Sequence, residues 1–471
     1  MPPSPLYRPD PRFAELGPEF ADAVSPAGFP EAILRFRNQR AAASVGLDTL
    51  TDAEWLTYFA RFEPLPDNQA QPLAMRYHGH QFRVYNPDLG DGRGFLFAQL
   101  RETTPAGRLL DLGTKGSGRT PWSRDGDGRL TLKGGMREVL ATAMLEALGV
   151  PTSRSFSLIE TGEDLVRGDE PSPTRSAVLT RLSHSHIRFG TFQRHAALGR
   201  ADLVGQLLGH VIGNYYPHLE GVDNPAAALL AAVVQRAAHL TAAWMAAGFV
   251  HGVLNTDNMN ITGESFDYGP YRFLPRNDPN FVAAYFDHSG LYSFGRQPEA
   301  VLWNLTQLAG ALTTVSDAEP LTAALNGFGD AYRAELSAAM VRRLGLAPAG
   351  AEADIDLANA AFRALAEGGE PLRWEPFFFD WFAGSEARAM AGPRAGLYGG
   401  EAFGRFRELL STRKPNRRER LDHAYFQRTE PEELLYDEIE GLWSAIAERD
   451  DWSPLNAKLA AIEAARQGWG Y

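Results

Sequence analysis

His251-Gly252-Val253-Leu254-Asn255-Thr256-Asp257-Asn258 is a loop of carboxylate and amide side chains, continued by MNITGESF and closed by Asp267-Tyr268-Gly269. It follows directly on a long Ala-rich segment that Asn224-Pro225 opens as a helix and Gly248 ends. That segment, Ala226 to Val250, is the most apolar of the chain. Gln235, Arg236 and His239 interrupt it, so it reads as a buried helix and not as a membrane span. Asn258 and Asp267 offer hard oxygens, and a divalent cation beside phosphate groups takes one or two such ligands from a protein. A short hairpin between them would bring the two together. Taken alone, NTDN and DYG describe two Asn/Asp turns between strands equally well, so the surrounding elements carry the assignment.

Upstream, from about 70 to 180, the texture changes to short apolar runs bounded by Gly and Pro: FLFAQL (95–100), RLLDLGTKGSG (108–118), SFSLIETG (155–162) and SAVLTRL (176–182). Such runs predict a mostly antiparallel sheet. One helix interrupts them. Leu132 to Leu148 places Met136, Val139, Leu140, Ala143, Met144 and Leu148 at three-to-four spacing and stops at Gly149, with Pro151 beyond. From about 196 the chain turns helical and remains so.

Lys115 ends the run LLDLGTK, and Glu138 lies on the inserted helix. The Gly-rich turns Leu89 to Gly94 and Gly116 to Pro121, with the polar turn Arg124 to Arg129, can bring backbone N–H groups near phosphate. None has the P-loop spacing. Arg181 and Arg188 flank LSHSHI, and arginine grips phosphate oxygens bidentately, so the two suit a triphosphate tail. Each of these has a plainer reading as a solvated charge, a simple turn or a structural arginine. Their order joins them: strands with one inserted helix, then helices opened by a loop of carboxylates.

That order is the order of a two-lobed kinase, an analogy of architecture. In kinases a strand Lys pairs with a helix Glu, and a catalytic-loop Asn and the Asp of a D-x-G hold the metal. The loop here resembles the H-G-D-x-H-x-x-N loop of aminoglycoside and choline kinases at His251, Gly252 and Asn258. Val253 replaces the Asp that receives the acceptor's proton, and Asn255 replaces the second His. Valine cannot act as a base, which speaks against ordinary phosphoryl transfer. Asp257 is the nearest replacement carboxylate.

The 471 residues suffice for a two-lobed enzyme, and 44% hydrophobic with 22% charged residues is ordinary for a soluble globular chain. The net charge of −12, with basic residues scattered, gives no basic stripe for nucleic acid. The absence of cysteine excludes disulfides, thiolate catalysis and Cys-based zinc sites. MPPSPLYRPDPRF has neither the basic start nor the apolar run of a signal peptide, so a cytoplasmic location is expected, and residues 1–20 read as a loosely held Pro-rich tail. His78-x-His80 and His184-x-His186, with His251, are the material for a His-metal site, but nothing else in the pattern asks for one. No G-x-S-x-G elbow is present.

YHGHQF (77–82), NPDLGDGR (86–93), LGTKGSGRTPWSRDGDGR (112–129), REVLATAMLEALGVPTSR (137–154), RLSHSHIRFGTF (181–192) and HGVLNTDNMNITGESFDYGPYRF (251–273) closely resemble the SelO (YdiU) family, in the family's order. The resemblance implies a pseudokinase that binds ATP end for end and transfers AMP to Ser, Thr or Tyr of proteins. It places Lys115 on the phosphates and paired with Glu138. Gly90, Gly92, Arg93, Asp127 and Gly128 then line the ATP site, with Arg181 and Arg188 on the phosphates at the buried end. Asn258 and Asp267 would bind Mg²⁺, with Mn²⁺ as the alternative metal, Asp267 also lying against the nucleotide, and Asp257 would accept the proton.

The expected fold is therefore α+β and kinase-like: an N-terminal extension (1–70), a strand-rich N-lobe (71–195), a C-lobe with the catalytic loop (196–330) and a C-terminal helical extension (331–471). Expected partners are protein substrates, with no nucleic acid and no membrane, and a monomer is expected. The rival readings are a conventional kinase and a catalytically dead ATP-binding scaffold. Relatives often carry selenocysteine or cysteine near the C-terminus, which this chain lacks, and RKPNRRERLDHAYFQ (413–427) departs from the family's usual pattern.

Overall fold

The computed structural model describes residues 4–168 and 170–471. It is an α+β structure with a strand-rich N-terminal region and a helical C-terminal region. An eight-stranded sheet runs in the order Ala21–Ala23, Leu73–Met75, Leu96–Arg101, Leu109–Lys115, Thr174–Ser183, Arg154–Leu165, Ile33–Arg37, with Leu130–Thr131 also paired to Thr174–Ser183. Every pairing in it is antiparallel. Two of its strands thus come from the first 70 residues.

Side-chain alternation along the central strands sorts the chemistry by face. Leu110 and Leu112, with Val178 and Leu182 on the neighbouring strand, join a core with Trp55, Phe59 and Phe97. Lys115 and Arg181 fall on the opposite face, because Arg181 pairs with Gly113, two residues from Lys115. The helix Leu132–Ala147 covers that face. Thr131 caps it by accepting from the Gly134 N–H at 3.1 Å, and Val139 packs with Leu158 and Leu179 from the sheet. Helix and sheet together deliver Glu138 to Lys115.

The N-terminal stretch differs from the expected loose tail. Phe13, Leu16 and Phe20 are buried in the main core, and Pro9 bridges to Leu100 at the sheet. Proline removes donors, but three large apolar side chains within eight residues are enough to hold the segment down.

Asn224 accepts from the Ala227 N–H at 3.0 Å and opens the helix Pro225–Ala246. By length and composition this helix passes the test for a membrane span; Leu229, Leu230, Val233 and Val234 are buried in the core. Helices then follow to Ser453–Trp469. A second core around Phe377, Trp381, Phe403 and Trp469 joins the C-terminal helices to Met245, Val250, Leu274 and Phe294. The last two helices, Tyr436–Arg449 and Ser453–Trp469, return to the sheet region. Lys133 pairs with Glu440 at 2.7 Å, and Asp450 bridges Arg35 and Arg175 at 3.2 and 2.7 Å. Ser453–Trp469 lies along the helix that carries Glu138.

Candidate active site

A cavity of about 710 Å³ opens between the sheet and the loop that follows the long helix. Its lining includes Gly90, Gly92, Arg93, Lys115, Asp127, Gly128, Arg181, Arg188, Asp257 and Asp267. Glu138 sits behind this wall, 1% exposed, and Asn258 lies on the turn Thr256–Asn258 next to Asp257, outside the lining. Of the twelve residues singled out by sequence, these two alone lack a surface on the cavity.

The centre of the site is a charge cluster. Lys115 Nζ donates to Glu138 and to Asp267, the latter at 2.7 Å. Arg181 lies 3.2 Å from Asp267 and 3.8 Å from Glu138. Burial pushes the Asp267 pKa upward, but Lys115, Arg181, Arg188 and Arg93 outweigh it and hold the carboxyl well below the usual range. Asp267 remains 26% exposed, so one side of it faces the cavity. Its backbone is left-handed, with φ +65°, a conformation that Asp tolerates better than most residues. His251 steadies this turn: its Nε2–H donates to the Phe266 carbonyl at 3.0 Å.

Arg188 is the second organiser. It donates to the Asp257 carbonyl at 2.9 Å and to the Asp91 carboxylate at 3.2 Å, and it lies over the Tyr77 and Phe266 rings at 4.4 and 5.0 Å. Asp257 itself is 9% exposed, and its Oδ1 has no hydrogen-bond partner. Burial raises its pKa to about 6, with Arg188 opposing the shift. A buried carboxylate with a free oxygen, a raised pKa and a place on the cavity wall is the equipment of a general base.

The connection from Asn258 to Asp267 is not the expected hairpin. It is an irregular loop anchored outward, with Asn260 bridged to Arg188 and Ser265 to Thr152. Gly90 has a further role: a Cβ there would come 2.3 Å from the Trp122 ring, which closes over the turn with its Nε1–H on Asp22. Asp127 is held by Arg167 at 2.8 Å. Asp91, Trp122, Tyr77 and Arg167 were missed by sequence reasoning. Asp91 stands inside the quoted LGDGRG turn, where only the glycines and Arg93 were counted.

The histidine pairs do not converge. His78 Nδ1 meets the Tyr85 hydroxyl at 2.6 Å, His80 Nδ1 accepts from Gln193 at 2.9 Å, and the His186 N–H donates to Asp111 at 2.7 Å. Burial lowers His78 and His184 to about 4, which keeps them neutral. Among the described residues no group of three or more His, Asp or Glu is arranged to hold a metal ion. Asp267 turns a carboxylate toward the cavity, whereas Asn258, on the neighbouring turn, has no surface on it.

The sequence model described as protein adenylyltransferase SelO matches residues 7–463. The protein nucleotidyltransferase YdiU of Synechococcus elongatus is 47% identical over 474 residues, covering 96% of this chain and 94% of that protein. The one from Gloeobacter violaceus is 47% identical over 459 residues, covering 94% and 92%. That of Pseudomonas putida is 42% identical over 361 residues, covering 76% and 73%. With matches of this extent spanning the cavity residues and the helices behind them, the chain belongs to the SelO family of protein adenylyltransferases.

Proposed function

We propose that this chain transfers AMP from ATP to Ser, Thr or Tyr hydroxyls of proteins and releases pyrophosphate. The observation that carries the reading is the position of Asp257, a buried carboxylate with one unpartnered oxygen on the wall of a cation-lined cavity. In this reading the strand-rich region and the helical region correspond to the two lobes of a kinase-like fold.

Asp257 takes the proton of the acceptor hydroxyl. The acceptor oxygen bonds to the α-phosphorus, the α–β bridging P–O bond breaks, and pyrophosphate leaves with that electron pair. Lys115, Arg181 and Arg188 meet the growing negative charge on the leaving group, and their positions are set before reaction by Glu138, Asp267 and Asp91. Asn258 and Asp267 would hold Mg²⁺ or Mn²⁺, which when bound neutralises phosphate charge. Glu138 acts through Lys115 as a positioning residue. Val253, where a kinase keeps its base, explains why the proton leaves by another carboxylate.

The test is incubation with Mg²⁺ and either α-labelled or γ-labelled ATP. Label from the α position, with a mass gain matching AMP on protein, is the expected result. Label from the γ position alone would mean a kinase, and ATP binding without either label would mean a scaffold.

A further inference from the structure

Eleven large apolar side chains stand exposed among the described residues, most of them singly. Val84, Tyr285 and Phe286 are different, because they sit around one hairpin: Val84 lies opposite the cavity-lining Gln81, and Tyr285 and Phe286 lead onto Phe82 at its turn. Tyr285 packs on Phe286 at 5.1 Å, Phe286 on Phe82 at 5.9 Å and Phe82 on Tyr292 at 5.1 Å. Tyr285 is 77% exposed and Val84 70%. Scattered exposed apolar residues need no explanation, whereas a contiguous aromatic surface marks a contact site.

This surface is tied to the turn that carries Asp257. Asn255 Oδ1 accepts from the Phe82 N–H at 3.0 Å and from the Tyr292 hydroxyl at 2.7 Å. Thr256 Oγ1 accepts from the His80 N–H at 2.7 Å. The two residues preceding Asp257 therefore hold both parts of the surface, the hairpin Gly79–Asn86 and the segment that reaches Tyr292. A Cβ on Gly79 would lie 3.4 Å from the Asp257 Cβ, and Gln81 of the same hairpin lines the cavity. The aromatic surface is thus continuous with the base end of the cavity. At its edge Arg83 and Arg296 both close on Glu299, at 2.8 and 2.9 Å. With Asp287 accepting from the Tyr292 N–H at 2.8 Å, the charges at this edge balance and leave the aromatic side chains as its distinguishing feature.

We propose that this surface docks the acceptor polypeptide, and that it selects segments with an apolar residue beside the acceptor hydroxyl. The proposal rests on the reading of the acceptor as a protein hydroxyl. A nucleotide alone has no use for an apolar apron outside its cavity. A polypeptide does, because its hydroxyl must be held at Asp257 while its neighbours lie on the protein. Rigid aromatic side chains give such contacts large area at low entropic cost.

The test uses the full chain and two fluorescein-labelled nine-residue peptides, each with one central Ser. One has Leu and Phe beside the Ser, and the other has Asn and Gly. Fluorescence anisotropy should show the apolar peptide binding about tenfold tighter, the effect of one aromatic anchor worth about 1.4 kcal/mol. The exposed pair Tyr285→Ser/Phe286→Ser should erase that preference while leaving ATP affinity unchanged. Val84→Asp, at an exposed position on the hairpin, should weaken it as an independent variant. Equal binding of the two peptides by the unaltered chain, or an unchanged preference in both variants, overturns the proposal. A peptide preference that persists while α-labelled ATP leaves no AMP on any protein would support the docking surface and sink the transfer reading instead.

Discussion

Lys115, at the end of a sheet strand, and Asp267, in the loop beyond the long helix, meet at 2.7 Å. The contact spans 152 positions of sequence and joins the strand-rich region to the helical one. Glu138 completes the arrangement from a third element, and it is 1% exposed. Removing the cation therefore leaves a buried carboxylate without its nearest partner. Lys115→Ala should abolish AMP transfer and destabilise the fold by about 3–5 kcal/mol, the usual cost of breaking a buried ion pair from one side. Transfer assays and a urea melt check the two halves separately, and a melt that does not move would exclude a structural role for the pair.

Asp257→Asn keeps the shape of the turn and removes the base. AMP transfer should fall about 10²–10⁴-fold, the range for losing a general base, with ATP affinity unchanged within a few-fold. A transfer rate equal to that of the unaltered chain would take Asp257 out of the proton path.

Chelation provides a separate check on Asp267. EDTA should stop transfer, and added Mg²⁺ should restore it in the unaltered chain. In Asp267→Ala added Mg²⁺ should restore nothing, because the variant lacks the carboxylate proposed to hold the metal. Recovery in that variant would move the metal elsewhere in the cavity.

Glu264 supplies a pH dependence of stability away from the chemistry. Its carboxylate accepts from the His184 N–H at 2.6 Å, and burial raises its pKa to about 7 against the opposing effects of that bond, Arg108 and Arg154. The unfolded chain titrates this group near ~4.3. A raised folded pKa means the stabilisation is fully present below the unfolded value and is lost as pH rises through the folded one. The melting temperature of the unaltered chain should therefore fall behind that of Glu264→Gln between about pH 4.3 and 7 and stay behind above it. Parallel melting curves for the two proteins across that window would refute the assignment.

Local sequence revealed a great deal of this site, and the reason lies in chain geometry. The helix Pro225–Ala246 was readable from Asn224-Pro225 and an apolar face, and the helix Leu132–Ala147 from its three-to-four spacing. The strand Leu109–Lys115 was readable as an apolar run, and alternation along it carries Lys115 to the covered face. What stayed hidden was held by distant partners. Asp91 matters because Arg188 reaches it from 97 residues away, and Trp122 because Asp22 holds its indole from 100 residues away. Neither relation leaves a local pattern. The burial of Phe13 and Phe20 was masked by the prolines around them, and the expected hairpin after Asn258 gave way to bridges with Arg188 and Thr152.

The helix Ser453–Trp469 lies along the helix that carries Glu138, and Asp450 clasps Arg35 and Arg175 on the sheet. The cavity is lined wholly by residues before 270, yet the helix of Glu138, behind its wall, packs on a segment made almost two hundred positions later. During synthesis the chain must therefore emerge with every cavity residue present and the back of the Glu138 helix still bare. The helix of Glu138 is thus held from two sides made at different times, by the strands Arg154–Leu165 and Thr174–Ser183 soon after it emerges and by Ser453–Trp469 only at the end of synthesis.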